Sequence, residues 1–175
     1  MKKQASEHLP GAKAALAAAV AASALAASAV STPAGFTDDL AAARRNAAGN
    51  GRAIVAVFSG SDWCGWCRKL DAEILSTDAF RQTATNAYEL VYIDNPRDRS
   101  LLSPTGRANN RRLTEQYGIE GFPTVLVLDA DGNVLAKLGY QPGGPEPYLA
   151  RLRQAIEAAR ARATPPAPPA KAPAE

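Results

Sequence analysis

The 175-residue sequence predicts an α/β fold, a small mixed sheet of four to five strands with helices on both faces. Three observations carry that expectation. Residues 54–58, 89–93 and 124–128 are nearly continuous apolar runs, as in strands covered on both sides. Stretches of helical length separate these runs, so strands and helices alternate. Asp131-Gly132 then sits between two apolar runs, the usual chemistry of a tight hairpin.

In chain order, residues 36–50 read as a first helix. Thr37 can cap it, Asp38 and Asp39 suit its positive first turn, and Gly49-Asn50-Gly51 stops it. Residues 54–58 form the first strand, and Ser59-Gly60-Ser61-Asp62 turns into a helix from about Cys64 to Leu75. Ser76-Thr77-Asp78 breaks it and caps a short helix over 79–85. The second strand is 89–93, followed by a polar loop over 95–106 and a helix over 107–117 stopped by Gly118. Residues 124–128 and 134–138 are the hairpin strands, and 145–162 is a last helix with Leu149, Leu152 and Ile156 on one face. Both strand–helix–strand units predict parallel pairing, and the hairpin predicts antiparallel pairing.

The ends of the chain differ from its middle. Alanine accounts for 38 residues, while Leu, Ile, Val and Phe together number 33, of which 23 fall between Asn50 and Tyr140. The apolar core is therefore concentrated there. Lys2, Lys3 and Lys13 precede an alanine-rich apolar stretch over 14–30 that ends in Ala27-Ser28-Ala29. That order reads as a secretory signal peptide over 1–34, cleaved after Ala29 or Ala34. An uncleaved membrane anchor is the alternative. Either way the remainder lies outside the cytoplasm, in the periplasm or secreted, where disulfides persist. Residues 35–162 are the expected domain, and 163–175, rich in Pro and Ala, a disordered tail.

The net charge is +3, and no block of like charge exceeds two. No clustered basic face is readable, which excludes nucleic acid as the partner. Both cysteines lie in one Cys-x-x-Cys, Cys64 and Cys67, at a predicted strand-to-helix turn. The helix start favours a thiolate at Cys64, with Cys67 one turn inside as the resolving thiol. A Cys64 thiolate then attacks a substrate disulfide and Cys67 releases the product. Structural zinc would need four ligands, and His8, in the leader, is the only histidine; no metal is expected. Covalent haem would need a histidine where Arg68 stands. A purely structural disulfide would close too short a loop to stabilise much.

Trp63-Cys64-Gly65-Trp66-Cys67, followed later by Gly121-Phe122-Pro123-Thr124, resembles the thioredoxin superfamily. Ser59-Gly60-Ser61-Asp62 before the pair and Lys69-Leu70 after it are most like exported bacterial thioredoxin-like proteins and periplasmic thiol–disulfide interchange domains. The resemblance covers residues 36–159 and implies a thioredoxin fold. It also implies a cis peptide before Pro123 that exposes the Phe122 backbone to an extended substrate strand. Trp63, Gly65 and Trp66 complete an apolar docking rim. The implied activity is reduction or exchange of protein disulfides by a redox-active disulfide without a cofactor. A membrane thiol–disulfide reductase is the implied electron donor, and a monomer the implied state.

Two departures from the family pattern bear on mechanism. Phe58 stands where thioredoxin has a buried acid, so Cys67 lacks an obvious base; Asp62, Asp71 and Glu73 are the nearby candidates. Gly65-Trp66 has no histidine, which favours a reducing protein. An oxidase or isomerase, or a non-catalytic binding or metal-handling module, remain the alternatives. Arg97, Arg99 and Arg107, on and just after the 95–106 loop, select partners or form a solvated surface.

Overall fold

The computed structural model describes residues 32–163. The leader expected over 1–34 lies outside them as far as residue 31, as does the tail from residue 164. Among the described residues the elements are α1 (Leu40–Asn50), β1 (Ala53–Ser59), α2 (Gly65–Leu70, continued by a π-helical turn over Asp71–Leu75), α3 (Asp78–Ala87), β2 (Tyr88–Asp94), α4 (Pro104–Gln116), β3 (Thr124–Leu128), β4 (Val134–Leu138) and α5 (Pro145–Ala163). The sheet has four strands in the order β2-β1-β3-β4.

The expected strands are all present, and β1, β2 and β3 are covered on both faces, whereas β4, at the sheet edge, is half-exposed. Alternate residues point to opposite sides. Val55, Val57, Leu90, Tyr92, Val125 and Val127 pack against Leu70, Ile74, Phe80, Leu149 and Leu152 from α2, its π turn, α3 and α5. Ile54, Ala56, Phe58, Val91, Ile93, Leu126 and Leu128 pack on the other side against Leu40, Ala43, Ala47 and Leu113 from α1 and α4.

The structure corrects three expectations. The first helix starts at Leu40, capped by Asp39, whose carboxylate accepts the Ala42 N–H at 2.9 Å. Thr37 is instead drawn onto the edge of β2: its N–H donates to Leu90 O and its O accepts from Tyr92 N. The pairing of the third strand also differs. β1 and β2 are parallel, but β3 runs antiparallel to β1, as β4 does to β3. Residues 117–123 return the chain from α4 to the end of β1, so that Thr124 enters opposite Phe58. α4 also begins earlier than expected, at Pro104, with Ser103 as its cap.

This topology brings three segments to one edge of the sheet: the turn after β1, the loop after β2, and the entry to β3.

Candidate active site

Cys64 is itself the cap of α2. Its Sγ accepts the Cys67 N–H at 3.1 Å, and its own N–H donates to Gly60 O at 2.8 Å. The two sulfurs are joined in a disulfide with the Cα atoms 5.2 Å apart. Cys64 is 6% exposed and Cys67 3%, so both residues are buried and Cys64 only marginally the less so. Across the edge, the Phe122–Pro123 peptide is cis, and Thr124 Oγ1 donates to Gly121 O at 2.8 Å.

Of the aromatic pair, Trp63 is packed and Trp66 is not. Trp63 Nε1 donates to Asn95 O at 2.9 Å, its ring meets Phe122 edge-on at 5.6 Å, and the Arg97 guanidinium lies 4.8 Å from its centroid. Asp62 completes this anchor by accepting the N–H groups of Arg97 and Asp98 at 3.0 and 2.8 Å. The Asp98 amide, and then that of Arg97, hold the Asp62 carboxyl below its ordinary range.

Trp66 is 59% exposed. Its ring lies 5.5 Å from that of Tyr140, with Lys69 Nζ 5.4 Å from its centroid. These residues line an open groove of about 510 Å³ with Phe122, Pro123 and Pro142. Gly65 is exposed and nothing lies within 4 Å of where its Cβ would be, so packing does not demand glycine there.

The acids expected beside Cys67 are engaged elsewhere. Asp62 holds the loop, Asp71 accepts from Ser76 Oγ at 2.8 Å, and Glu73 accepts from the Tyr140 hydroxyl. Phe58 is fully buried among apolar side chains. The buried acid at this edge is Asp94, 3% exposed, which sequence reasoning missed. Its carboxylate accepts Ser61 N–H at 2.8 Å and Ser61 Oγ at 2.6 Å, fastening the turn that leads to Cys64. Burial raises its pKa despite those two bonds. Next to it, Tyr92 donates to Ser59 Oγ at 2.8 Å, and burial pushes its phenol up to about 12. Only the register that sets Ser59 opposite Asp94 reveals this grouping. Among the described residues no three His, Cys, Asp or Glu side chains converge as metal ligands would.

A family model for the thioredoxin-like domain matches residues 40–156. The chain belongs to the thioredoxin-like family. Its thioredoxin-like domain is 35% identical over 104 residues to the disulfide bond reductase DsbH of Chlamydia pneumoniae, a match spanning 59% of this chain and 62% of that protein. It is 29% identical over 97 residues to nucleoredoxin of Bos taurus, covering 49% of this chain and 22% of the relative. The chain thus spans less than two thirds of the length of either. A solved DsbH oxidoreductase superposes with a TM-score of 0.66 at 31% identity, covering 71% of this chain and 87% of that one. The mixed four-stranded sheet flanked by helices is accordingly the thioredoxin fold. A Cys-x-x-Cys at its first strand-to-helix turn is an arrangement suited to moving two electrons between dithiol and disulfide.

Proposed function

We propose that this protein is an exported thiol–disulfide oxidoreductase that reduces or exchanges disulfides in other proteins through Cys64 and Cys67. One observation carries the reading: the two cysteines form a disulfide at the start of α2, and of their neighbours Trp63 meets Phe122 while Trp66 lines an open groove with Phe122 and Pro123. Likeness to a protein named a disulfide bond reductase supports the reducing direction. The absence of histidine between the cysteines supports it too.

In the reduced protein, Cys64 is the nucleophile. The Cys67 N–H, already aimed at Cys64 Sγ, stabilises its thiolate. Attack on a substrate disulfide forms a mixed disulfide and expels one substrate thiolate. Cys67, as thiolate, then attacks Cys64 Sγ and expels the second. The substrate gains two electrons, and the protein is left with the Cys64–Cys67 disulfide. An external dithiol must return those electrons; we assign that role to a membrane thiol–disulfide reductase. The Phe122 backbone beside Pro123 pairs with the extended substrate, Trp66 and Gly65 form the open rim, and packed Trp63 ties the residue before Cys64 to the loop after β2 and to Phe122. Residues 1–34 act as the export signal, which places a monomeric domain in the periplasm or outside the cell.

Insulin-disulfide reduction by the wild type and Cys64→Ser tests the chemistry, and equal rates would overturn it. Cys67→Ser is expected to accumulate the mixed disulfide and so identify the substrate. Equilibration with glutathione tests direction: a potential near −120 mV, characteristic of a strong oxidant, would rule out a reductase.

A further inference from the structure

A second cavity, of about 390 Å³, lies between the loop after β2 and α4. Exchange chemistry does not use it. Arg99 from the loop and Arg107 and Arg111 from α4 border it, the last two one turn apart on the same helix face. Their roles differ. Arg107 is half-buried and its guanidinium donates to the carbonyls of Arg99 and Leu102, giving the loop its shape. Arg99 and Arg111 are exposed, and among the described residues neither guanidinium has a hydrogen-bonding or ionic partner.

The acids nearby do not answer that charge. Asp94 is buried with its carboxylate taken by Ser61. Asp98 accepts from Ser100 N–H and Oγ, and Asp62 from the Arg97 and Asp98 amides. Residues 95–116 hold five arginines against Asp98 and Glu115, in a chain otherwise near neutral. Beside Asp94 and Asn95, the lining residues Pro96, Leu102, Pro104 and Ala108 offer apolar surface to the stems of long side chains. The same loop is bound to the residue before the nucleophile, through Asn95 O on the Trp63 indole and Arg97 over its ring.

We infer that this cleft docks an acidic polypeptide segment, its carboxylates bridged by Arg99 and Arg111. Planar guanidiniums without partners match carboxylates bidentately, and two of them lining one cleft, from the loop and from α4, reward a segment carrying several. Given the thiol–disulfide reading of Cys64 and Cys67, on which this part rests, the segment belongs to the protein whose disulfide is exchanged. The cleft then selects substrates with acid-rich sequence beside the cysteine.

Two cysteine-free fluorescein peptides, one Glu-rich and one with Gln in place of Glu, separate the outcomes when titrated against the full chain by anisotropy. At low salt the Glu-rich peptide is expected to bind about tenfold tighter, and the preference to vanish in R99E/R111E. Salt near 1 M should erase it as well. Equal affinity for the two peptides, or a preference that survives R99E/R111E, overturns the inference. So does full displacement by inorganic phosphate at a matched concentration of anionic groups, which would mark a small-anion site. Disulfide-containing versions of both peptides, reduced by the dithiol protein, give the ratio of kcat/KM values. A ratio near ten that falls to about one in R99E/R111E supports substrate selection. If neither peptide disulfide is reduced while the binding preference persists, the catalytic reading fails and the docking site stands.

Discussion

Gly60 sits where the backbone of the turn after β1 passes under the Trp63 indole. A Cβ there would lie 2.4 Å from Cε2, 2.5 Å from Nε1 and 2.6 Å from Cζ2 of that ring. No real side chain tolerates such separations, so Gly60→Ala forces the indole to move. Moving it breaks the 2.9 Å bond from Nε1 to Asn95 O and the edge-on contact with Phe122. Overpacking costs about 1–3 kcal/mol, and losing the hydrogen bond about 0.5–1.5 kcal/mol. The stiffer unfolded chain offsets about 0.4–1 kcal/mol of this. The net expectation is a loss of about 2 kcal/mol, seen as a urea midpoint lowered by about 1 M at unchanged m. Gly49→Ala is the control: it lies late in α1, with nothing within 4 Å of the added methyl. Replacing that helical glycine should stabilise by about 0.5–1 kcal/mol. Disulfide exchange should fall in Gly60→Ala alone, because Trp63 directly precedes Cys64. Equal midpoints for the two variants, or Gly60→Ala within about 0.3 kcal/mol of the wild type, would refute the steric argument.

Other outcomes follow from the buried polar groups. Among the described residues the buried Tyr148 hydroxyl has no hydrogen-bond partner, so Tyr148→Phe should stabilise by about 1 kcal/mol in urea melts. Tyr92→Phe removes the bond to Ser59 Oγ and should destabilise by about the same amount. Asp94 has a raised pKa, and a carboxyl raised on folding contributes stability at low pH that is lost as pH rises through the folded value. Asp94→Asn does not titrate, so the stability of wild type relative to this variant should be greatest below pH 4 and shrink toward neutrality; a difference independent of pH would refute the assignment. For Asp62→Ala, faster hydrogen exchange at the Arg97 and Asp98 amides is expected, and unchanged exchange would show that the loop holds without that carboxylate.

Much of this molecule can be read before it is folded. β1, β2 and β3 announce themselves because strands covered on both faces leave no polar alternation, so residues 54–58 and 125–128 are continuous apolar runs. The Asp131-Gly132 turn names its hairpin, and the Cys-x-x-Cys names its chemistry, because both depend on residues adjacent in the chain. The groove at Trp66 was half legible: Phe122 and Pro123 carry a motif, whereas Tyr140 and Pro142 reach it only because the chain after β4 returns to that edge.

What local sequence could not specify were the pairings between distant segments. Thr37 has the chemistry of a helix cap, yet its backbone meets the edge of β2 and a sheet bond wins. β3 reads as parallel because a helix precedes it, but the direction of a strand depends on where its connection ends, and residues 117–123 end beside Phe58. Asp94 looks like an ordinary strand-end acid. It becomes the buried fastening of the Cys64 turn because parallel register sets it opposite Ser59, within reach of Ser61. The cysteine pair and the burial of the strands were thus written in short stretches of chain. The anchoring of Trp63, the acid beneath the turn and the arginine cleft arose when three loops met at one sheet edge, since hydrogen bonds and charge pairing act over a few ångströms of space regardless of separation along the chain.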